Sequence, residues 1–380
     1  MKKIAVMGLV DWVNFGERFL ADTVAYLVGN QYDIVSINFQ PKKKTFGYLM
    51  FGMAVVAAKV LSFWKESARL ILFGVRCHTK RYYEKQLKEC DAIIFACGSY
   101  KYGTQKLWAY YSVVIEAAEK LNIPVMFDAM NIQDFNEKDW RCRCLKQHTN
   151  YSCVKCFTTR DGAYGLDKLR TCYLEQGTAI HSEAVGDPAF WIPECYGVER
   201  KEDAGKIGVN LIRPGVFVDY GLKMTEEQLV DVYCELVKRL EKEQVQWEFF
   251  TNGLPVDYAA GRNILQKCGM PEREIVVPGS AKNLVEIIAG YKGIIGARLH
   301  ACICAYSLDV PVAGFIWDEK MLRFAQVAGL EQNFLTQEEL TGDALYARLN
   351  EMVNKNYDRE IRNGLKQKTK ESIDNFLIQY

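Results

Sequence analysis

Residues 293–320 read GIIGARLHACICAYSLDVPVAGFIWDEK, and the reading of this stretch decides the fold class. A short apolar run, Ile294 and Ile295, ends in Gly296. Arg298 and His300 follow at once, then a run of small residues, and Pro311 introduces a second apolar run. Short apolar runs bounded by Gly and Pro predict strands, and the segment between them predicts a helix. The unit is a strand, tight turn, helix and strand, with a cation and a titratable ring at its first turn. In an open α/β sheet that turn lies at the carboxyl end of a strand, where ligands bind, and the helix N-terminus after it favours negative charge. Arg298 is therefore the first candidate to hold an anionic substrate.

The same alternation extends on both sides of the stretch. Upstream, residues 206–212 (KIGVNLI) predict a strand running into Arg213-Pro214-Gly215, and residues 226–242 predict a helix behind Thr225 as N-cap. Strands at 246–251 and 274–277 alternate with helices at 257–268 and 283–290. In the first half, strands are expected at 3–8, 33–37, 90–98 and 123–128, with helices at 19–28, 81–89 and 108–121. Such alternation argues for two similar, mainly parallel α/β halves facing one another across a cleft. The loosened, charged run near residues 193–205 marks the boundary between a domain at 1–195 and a domain at 205–350. Residues 351–380 predict a terminal helix that packs back on the first domain.

Several loops at strand ends are candidates for ligand contact. The loop with Asn14 and Gly16 can offer backbone N–H groups, but it is not G-x-G-x-x-G, so no dinucleotide is implied; a loop that merely reverses the chain fits equally. Gly98 bounds another strand end. Asp187, in Gly186-Asp187-Pro188, suits either a ligand hydroxyl or the shaping of a turn.

Composition narrows the function class. The chain has 380 residues, 49% hydrophobic and 25% charged, which is long enough for two cores. A net charge of +1 supplies no field for nucleic acid, so that partner is excluded. The N-terminus shows no secretory signal pattern. Thirteen scattered cysteines, many inside apolar runs, suit a reducing cytoplasm. Cys142, Cys144, Cys153 and Cys156 form a C-x-C and C-x-x-C pair that is a candidate zinc site, although Cys156 also reads as part of a strand. Residues 46–58 carry no charge, with lysines at 42–44 before them and Lys59 after. That run is shorter than the roughly 20 residues a membrane span needs. Either a packing helix or a monotopic foot on an anionic membrane, through residues 42–59, fits it.

Gly296, Arg298 and His300 before an alanine-rich helix, then Pro311, Asp318 and Lys320, resemble the polysaccharide pyruvyl transferase family. Asn14 to Gly16, Gly98, the Arg160-Asp161 pair and Gly186 to Pro188 stand in the family's order. Two positions depart from its pattern: Cys97-Gly98-Ser99 replaces a glycine pair or triplet, and Glu17 follows Gly16 where the family has Asp. The resemblance spans residues 3–330. It implies a glycosyltransferase-B-like pair of Rossmann-like domains, the first on the acceptor side and the second on the donor side. It further implies transfer of a pyruvyl group from phosphoenolpyruvate, a co-substrate with no other cofactor, to hydroxyls of a glycan or lipid-linked oligosaccharide. A cytoplasmic enzyme, associated with the inner face of the membrane if residues 42–59 touch it, is the expected setting.

The residue types fit that chemistry. Guanidinium groups match both the phosphate and the carboxylate of the donor, so Arg298 and Arg213 are expected to hold its anions, with Lys320 as a third cation. His300 is the candidate proton donor and base, because a histidine's ordinary pKa of about 6.5 serves either role near neutrality. Asn14, Gly16, Gly98 and Asp187 are the acceptor-side or loop candidates. Two other readings stand on the residues alone: a nucleotide-sugar glycosyltransferase, in which Arg298 and Lys320 hold a diphosphate, and a non-catalytic sugar- or anion-binding protein.

Overall fold

The computed structural model describes residues 1–10, 13–41, 46–61, 66–103, 106–133, 135–353 and 357–380. They divide into two compact units. The first comprises Met1–Asp11, Leu20–Gly186 and Gln367–Tyr380; the second comprises Trp12–Phe19 and Asp187–Lys366. The division falls at Gly186, ahead of the charged run at 193–205, and the loop at 13–19 groups with the second unit although it lies near the start of the chain.

The first unit is built on β1 (Lys3–Gly8), β2 (Asp33–Asn38), β3 (Ala92–Phe95), β4 (Ser99–Tyr100), β5 (Val125–Ile132), β6 (Val154–Thr159) and β7 (His181–Ala184). These lie in the order β2-β1-β3-β5-β6-β7, with β4 on β5, and every pairing is parallel. Its helices are α1 (Phe15–Val28), whose first turn belongs to the second unit, α2 (Phe46–Val60), α3 (Ala68–Leu87), α4 (Leu107–Leu121), α5 (Trp140–Thr149) and α6 (Gly162–Lys168). Strands β3 and β5 are buried along their whole length, as expected of parallel strands covered on both faces. Phe95, Phe127 and Phe157 stack across β3, β5 and β6 at 4.6 and 4.7 Å, and Tyr111 of α4 closes on Phe95 at 5.3 Å.

Helix α3 is longer than the charged segment at 81–89 suggested. Gly74 interrupts its pattern and costs about 1 kcal/mol of helix propensity, yet a Cβ there would stand 2.8 Å from the Ala54 Cβ of α2. The glycine lets the two helices approach, and tertiary packing overrides propensity. The packing-helix reading of residues 46–58 holds for one face of α2, which packs on α3, while the other face is exposed to solvent. Among the described residues no helix is long and apolar enough to cross a membrane; lysines 42–44 lie outside the described residues.

The candidate zinc cysteines do not converge. On α5 an i, i+2 spacing turns Cys142 and Cys144 to different neighbours: the Cys142 sulfur accepts from the Asn136 N–H at 3.3 Å, while that of Cys144 lies 3.6 Å from the His148 Nδ1. Cys153 donates to the Ile115 carbonyl, and burial pushes the Cys156 thiol up to about 12, away from the thiolate a metal needs. No group of three or more His, Cys, Asp or Glu among the described residues is placed to hold a metal ion. The geometry corrects the zinc reading of these four residues.

His148 instead belongs to a buried ion pair. Its Nδ1 meets the Cys144 carbonyl at 2.7 Å and its Nε2 the Glu116 carboxylate at 2.9 Å, which Arg76 also grips. Burial alone would lower the imidazole, but its bonds to Cys144 and Glu116 outweigh that and raise it to about 9. Burial likewise opposes ionisation of Glu116, and the bonds from His148 and Arg76 hold it at about 2. The His148 contribution to stability is then full below its ordinary 6.5 and lost as pH rises through about 9; that of Glu116 is full above 4.5 and lost as pH falls through about 2. The melting temperature should therefore fall between about pH 7 and 10 more steeply in the native chain than in His148→Gln. Parallel profiles would remove the imidazolium.

The second unit carries β8 (Lys206–Asn210), β9 (Trp247–Phe250), β10 (Ile275–Val276), β11 (Tyr291–Gly296), β12 (Val312–Phe315) and β13 (Phe334–Leu335), all paired in parallel in the order β10-β9-β8-β11-β12-β13. Its helices are α7 (Ile192–Tyr196), α8 (Val216–Asp219), α9 (Glu226–Lys242), α10 (Pro255–Lys267), α11 (Ala281–Ala289), α12 (Leu299–Ser307), α13 (Glu319–Val327), α14 (Gly342–Val353) and α15 (Arg359–Gln379). The strand, helix and strand expected within residues 293–320 are β11, α12 and β12. Thr225 and Gln228 close a full capping box on α9. The end of α15 groups with the first unit, where Thr369 donates to the Gly186 carbonyl at 2.9 Å. In the second sheet the chain starts at β8, runs outward to β10, then returns to β11 on the other side of β8. That reversal is a topological switch point, the position at which open α/β sheets bind ligands.

Candidate functional site

The switch point of the second unit is bridged by polar side chains. Asn210 closes β8 and Arg298 follows β11; the Arg298 N–H donates to the Asn210 Oδ1 at 2.9 Å. The Asn210 amide donates in turn to the Asn252 Oδ1 at 3.1 Å, beyond the end of β9. Tyr233 of α9 donates to the Asn210 carbonyl at 3.1 Å; burial, then the nearby Asp257 charge, push its phenol well up, so it remains a neutral donor. Three adjacent strand ends are thereby tied together.

Arg298 is the N-cap residue of α12, in extended conformation. Its guanidinium is held by Asp257, which accepts from Nε at 3.0 Å and from Nη2 at 2.6 Å. Asp257 is wholly buried in the first turn of α10, behind Pro255, and also accepts from the Arg213 backbone N–H at 3.0 Å. A buried carboxylate survives only when paired and hydrogen-bonded, and these three bonds supply both. Two of the five N–H groups of Arg298 are thus committed, and among the described residues no other partner takes the rest, on a side chain 17% exposed.

The other expected cations also have acidic partners. The Arg213 guanidinium pairs with Asp219, and Lys320 stands 3.7 Å from Asp318. These pairs differ in kind. Asp219 is more than half exposed, so its pair with Arg213 is a surface contact worth about 0–1 kcal/mol that a ligand can exchange. Asp318 is buried and caps α13 by accepting from the Met321 N–H. Trp317 donates its indole N–H to the Ala297 carbonyl at 2.6 Å, fixing the loop after β12 against the loop after β11. The sequence expected three donor-binding cations here; the fold supplies each with a carboxylate, so the set is electrically balanced.

His300, the second residue of α12, is buried beneath the N-terminal loop. A Cβ on Gly16 would lie 2.7 Å from the His300 Cβ and 2.8 Å from its Nδ1, so only glycine lets the loop lie flush on the ring. The Phe15 N–H donates to the Asn252 carbonyl at 3.0 Å, while Asn14 accepts from the Gly16 and Glu17 N–H groups. Gly253, at φ +97°, offers no Cβ to block Val13 and Phe15. Asn14 and Gly16, expected on the acceptor side, therefore sit in the second unit with His300. Replacing Gly16 with Ala should force the loop and the ring apart, costing about 1–3 kcal/mol of stability and lowering turnover about tenfold; full turnover would mean that the ring's placement is immaterial.

The remaining candidates do not join this cluster. Asp187 caps the short turn over Pro188–Trp191 by accepting from the Ala189 N–H at 2.9 Å, the turn-shaping alternative. Gly98 lies in the first unit at φ +68°, and its carbonyl accepts from the Arg160 Nη2 and the Asn131 N–H, both at 3.0 Å. Asp161 beside it accepts from the Asn131 amide and the Ile132 N–H. That knot shapes the strand ends of the first sheet. Sequence reasoning missed Asp257, Asn210 and Asn252. A carboxylate in a first helical turn after proline was the available signal for Asp257; the two asparagines carried only their strand-end positions.

Comparison with protein families matches residues 14–319 to the model described as polysaccharide pyruvyl transferase. Comparison with curated protein sequences gave no match. Among solved structures, UDP-GlcNAc 2-epimerase from Methanocaldococcus jannaschii superposes with a TM-score of 0.62 at 11% identity over 100% of both chains. The Neisseria meningitidis UDP-GlcNAc 2-epimerase, bound to UDP-GlcNAc, gives 0.60 at 12% identity, again over 100% of both. A ugt transferase from Siraitia grosvenorii, in complex with UDP, gives 0.50 at 9% identity over 100% of this chain and 99% of that one. At these identities the likeness is one of fold: two parallel-sheet α/β domains of glycosyltransferase-B type.

Proposed function

This chain belongs to the polysaccharide pyruvyl transferase family, and from that premise we propose that it transfers a pyruvyl group from phosphoenolpyruvate to two hydroxyls of a sugar, in a surface polysaccharide or its lipid-linked precursor. The observation that carries the reading is the juxtaposition of Arg298 and His300 at the switch point, the guanidinium oriented by Asp257 and the ring covered by Gly16.

In this reading Arg298 binds one anionic group of the donor through the N–H groups that Asp257 leaves available, and Arg213 exchanges Asp219 for the other. Lys320 adds charge at the neighbouring loop. His300 gives a proton to the methylene carbon of the enol, leaving an oxocarbenium-like centre at the carbon that bears phosphate. A sugar hydroxyl adds there and loses its proton; the carbon–oxygen bond to phosphate breaks, and a second hydroxyl closes the cyclic ketal as its proton leaves. Of the two hydroxyl protons, one replaces that lost by His300 and the other leaves with inorganic phosphate, so the balance closes. Donor and acceptor precursor would meet in the cytoplasm, a reducing setting that suits thirteen unbridged cysteines.

The test is release of inorganic phosphate from phosphoenolpyruvate across a panel of sugar acceptors, with the ketal identified by mass. Release that depends on one acceptor class supports the reading. Thermal stabilisation by nucleotide sugars but not by phosphoenolpyruvate would replace it with a nucleotide-sugar glycosyltransferase. Stabilisation by glycans or anions with no phosphate released under any acceptor would leave a binding protein.

A further inference from the structure

Helix α2 has two faces of opposite fate. Gly47, Phe51, Ala54 and Ala58 recur at helical spacing on the side turned to α3: a Cβ on Gly47 would strike the Cys77 carbonyl, and Ala54 is buried against Gly74. Leu49, Met53, Val56 and Val60 recur at the same spacing on the opposite side and are between 58% and 70% exposed. A soluble surface helix ordinarily turns charge outward. Here the outer stripe is aliphatic for about 16 Å, and Phe73 of α3 adds a ring that is 52% exposed.

Charge is segregated around this stripe. Of the chain's 48 basic and 47 acidic side chains, residues 41–82 hold nine of the former and only one of the latter, Glu66. The rest of the chain is therefore net negative. Lysines 42–44 and Lys65 lie outside the described residues and enter only as charges next to the helix in sequence. Among the described residues, Met50, Phe73, His78, Lys80 and Arg81 line one groove at the start of α2, together with Arg76, which is paired to Glu116.

We propose that the outer face of α2, with the basic groove of α3, is a monotopic foot that seats this protein on an anionic lipid surface. An aliphatic stripe enters the acyl boundary while lysine and arginine meet phosphate headgroups. The 15-residue helix is too short to span a bilayer, so it lies on the surface. Charge selects this occupant over a second copy of the chain, since a symmetric dimer through this face would set one basic rim against another.

Flotation with vesicles tests the proposal on the full chain and reads nothing from turnover, so its outcome is independent of pyruvyl transfer. The native protein should float with phosphatidylcholine vesicles that contain about one-third phosphatidylglycerol, not with phosphatidylcholine alone, and should be released by high salt. Met53→Asp with Val56→Asp, and separately Lys80→Glu with Arg81→Glu, should each lower partitioning by roughly tenfold or more. All four positions are solvent-exposed, so melting temperatures should stay near that of the native chain. No flotation of the native protein, or flotation of either variant equal to that of the native chain, would overturn the foot. A concentration-dependent dimer that Met53→Asp dissolves, without vesicle binding, would assign the face to a second copy instead.

Discussion

Replacing His300 with Ala or Gln is expected to lower turnover by about 10²–10⁴ while phosphoenolpyruvate still binds. The expectation rests on position as much as on residue type. The ring sits in the first turn of α12, one residue beyond Leu299 and two beyond the Arg298 cap, and Gly16 closes over it without a Cβ to push it aside. A donor anion at Arg298 would therefore bring its enol carbon to the ring, and the effect should fall on kcat rather than on KM. Near-normal turnover in both variants would sink the assignment and leave the ring a packing residue beneath the N-terminal loop.

How much of this was legible follows from the range over which each signal acts. The unit at 293–320 was fully readable, because Gly296 and Pro311 punctuate two buried strands and the helix between them is local. Helix α2 was readable from a run without charges, but which of its faces packs was not, since that depends on Gly74 in another helix. Helix α3 was half missed for the same reason. Arg298 and His300 stood out by type and turn context. Of their supports, Asn14 and Gly16 stood out only as a loop expected on the acceptor side, and Asn210, Asn252 and Asp257 not at all, because all five reach them through tertiary contacts that periodicity does not encode. The cysteine pairs illustrate the converse: a suggestive spacing in sequence is dispersed once α5 and β6 point its members to different neighbours.

Arg298→Ala should carry the largest combined cost, and a second substitution separates its two parts. Removing the guanidinium strips Asp257 of two charge-assisted bonds and leaves a wholly buried carboxylate with one backbone donor from Arg213. Breaking a buried pair in this way costs about 3–5 kcal/mol of stability, because the surviving charge is uncompensated. Loss of donor contacts should weaken phosphoenolpyruvate binding by about tenfold to a hundredfold or more, at about 1.5–3 kcal/mol per charge-assisted bond. Arg298→Met combined with Asp257→Leu removes both charges and fills similar volume, so it should restore much of the stability. It should not restore donor affinity, since no apolar side chain can hold phosphate or carboxylate. A double variant that regains both would show that Arg298 only neutralises Asp257; one that regains the melting temperature but still fails to bind donor would show an arginine whose remaining N–H groups are kept for the ligand.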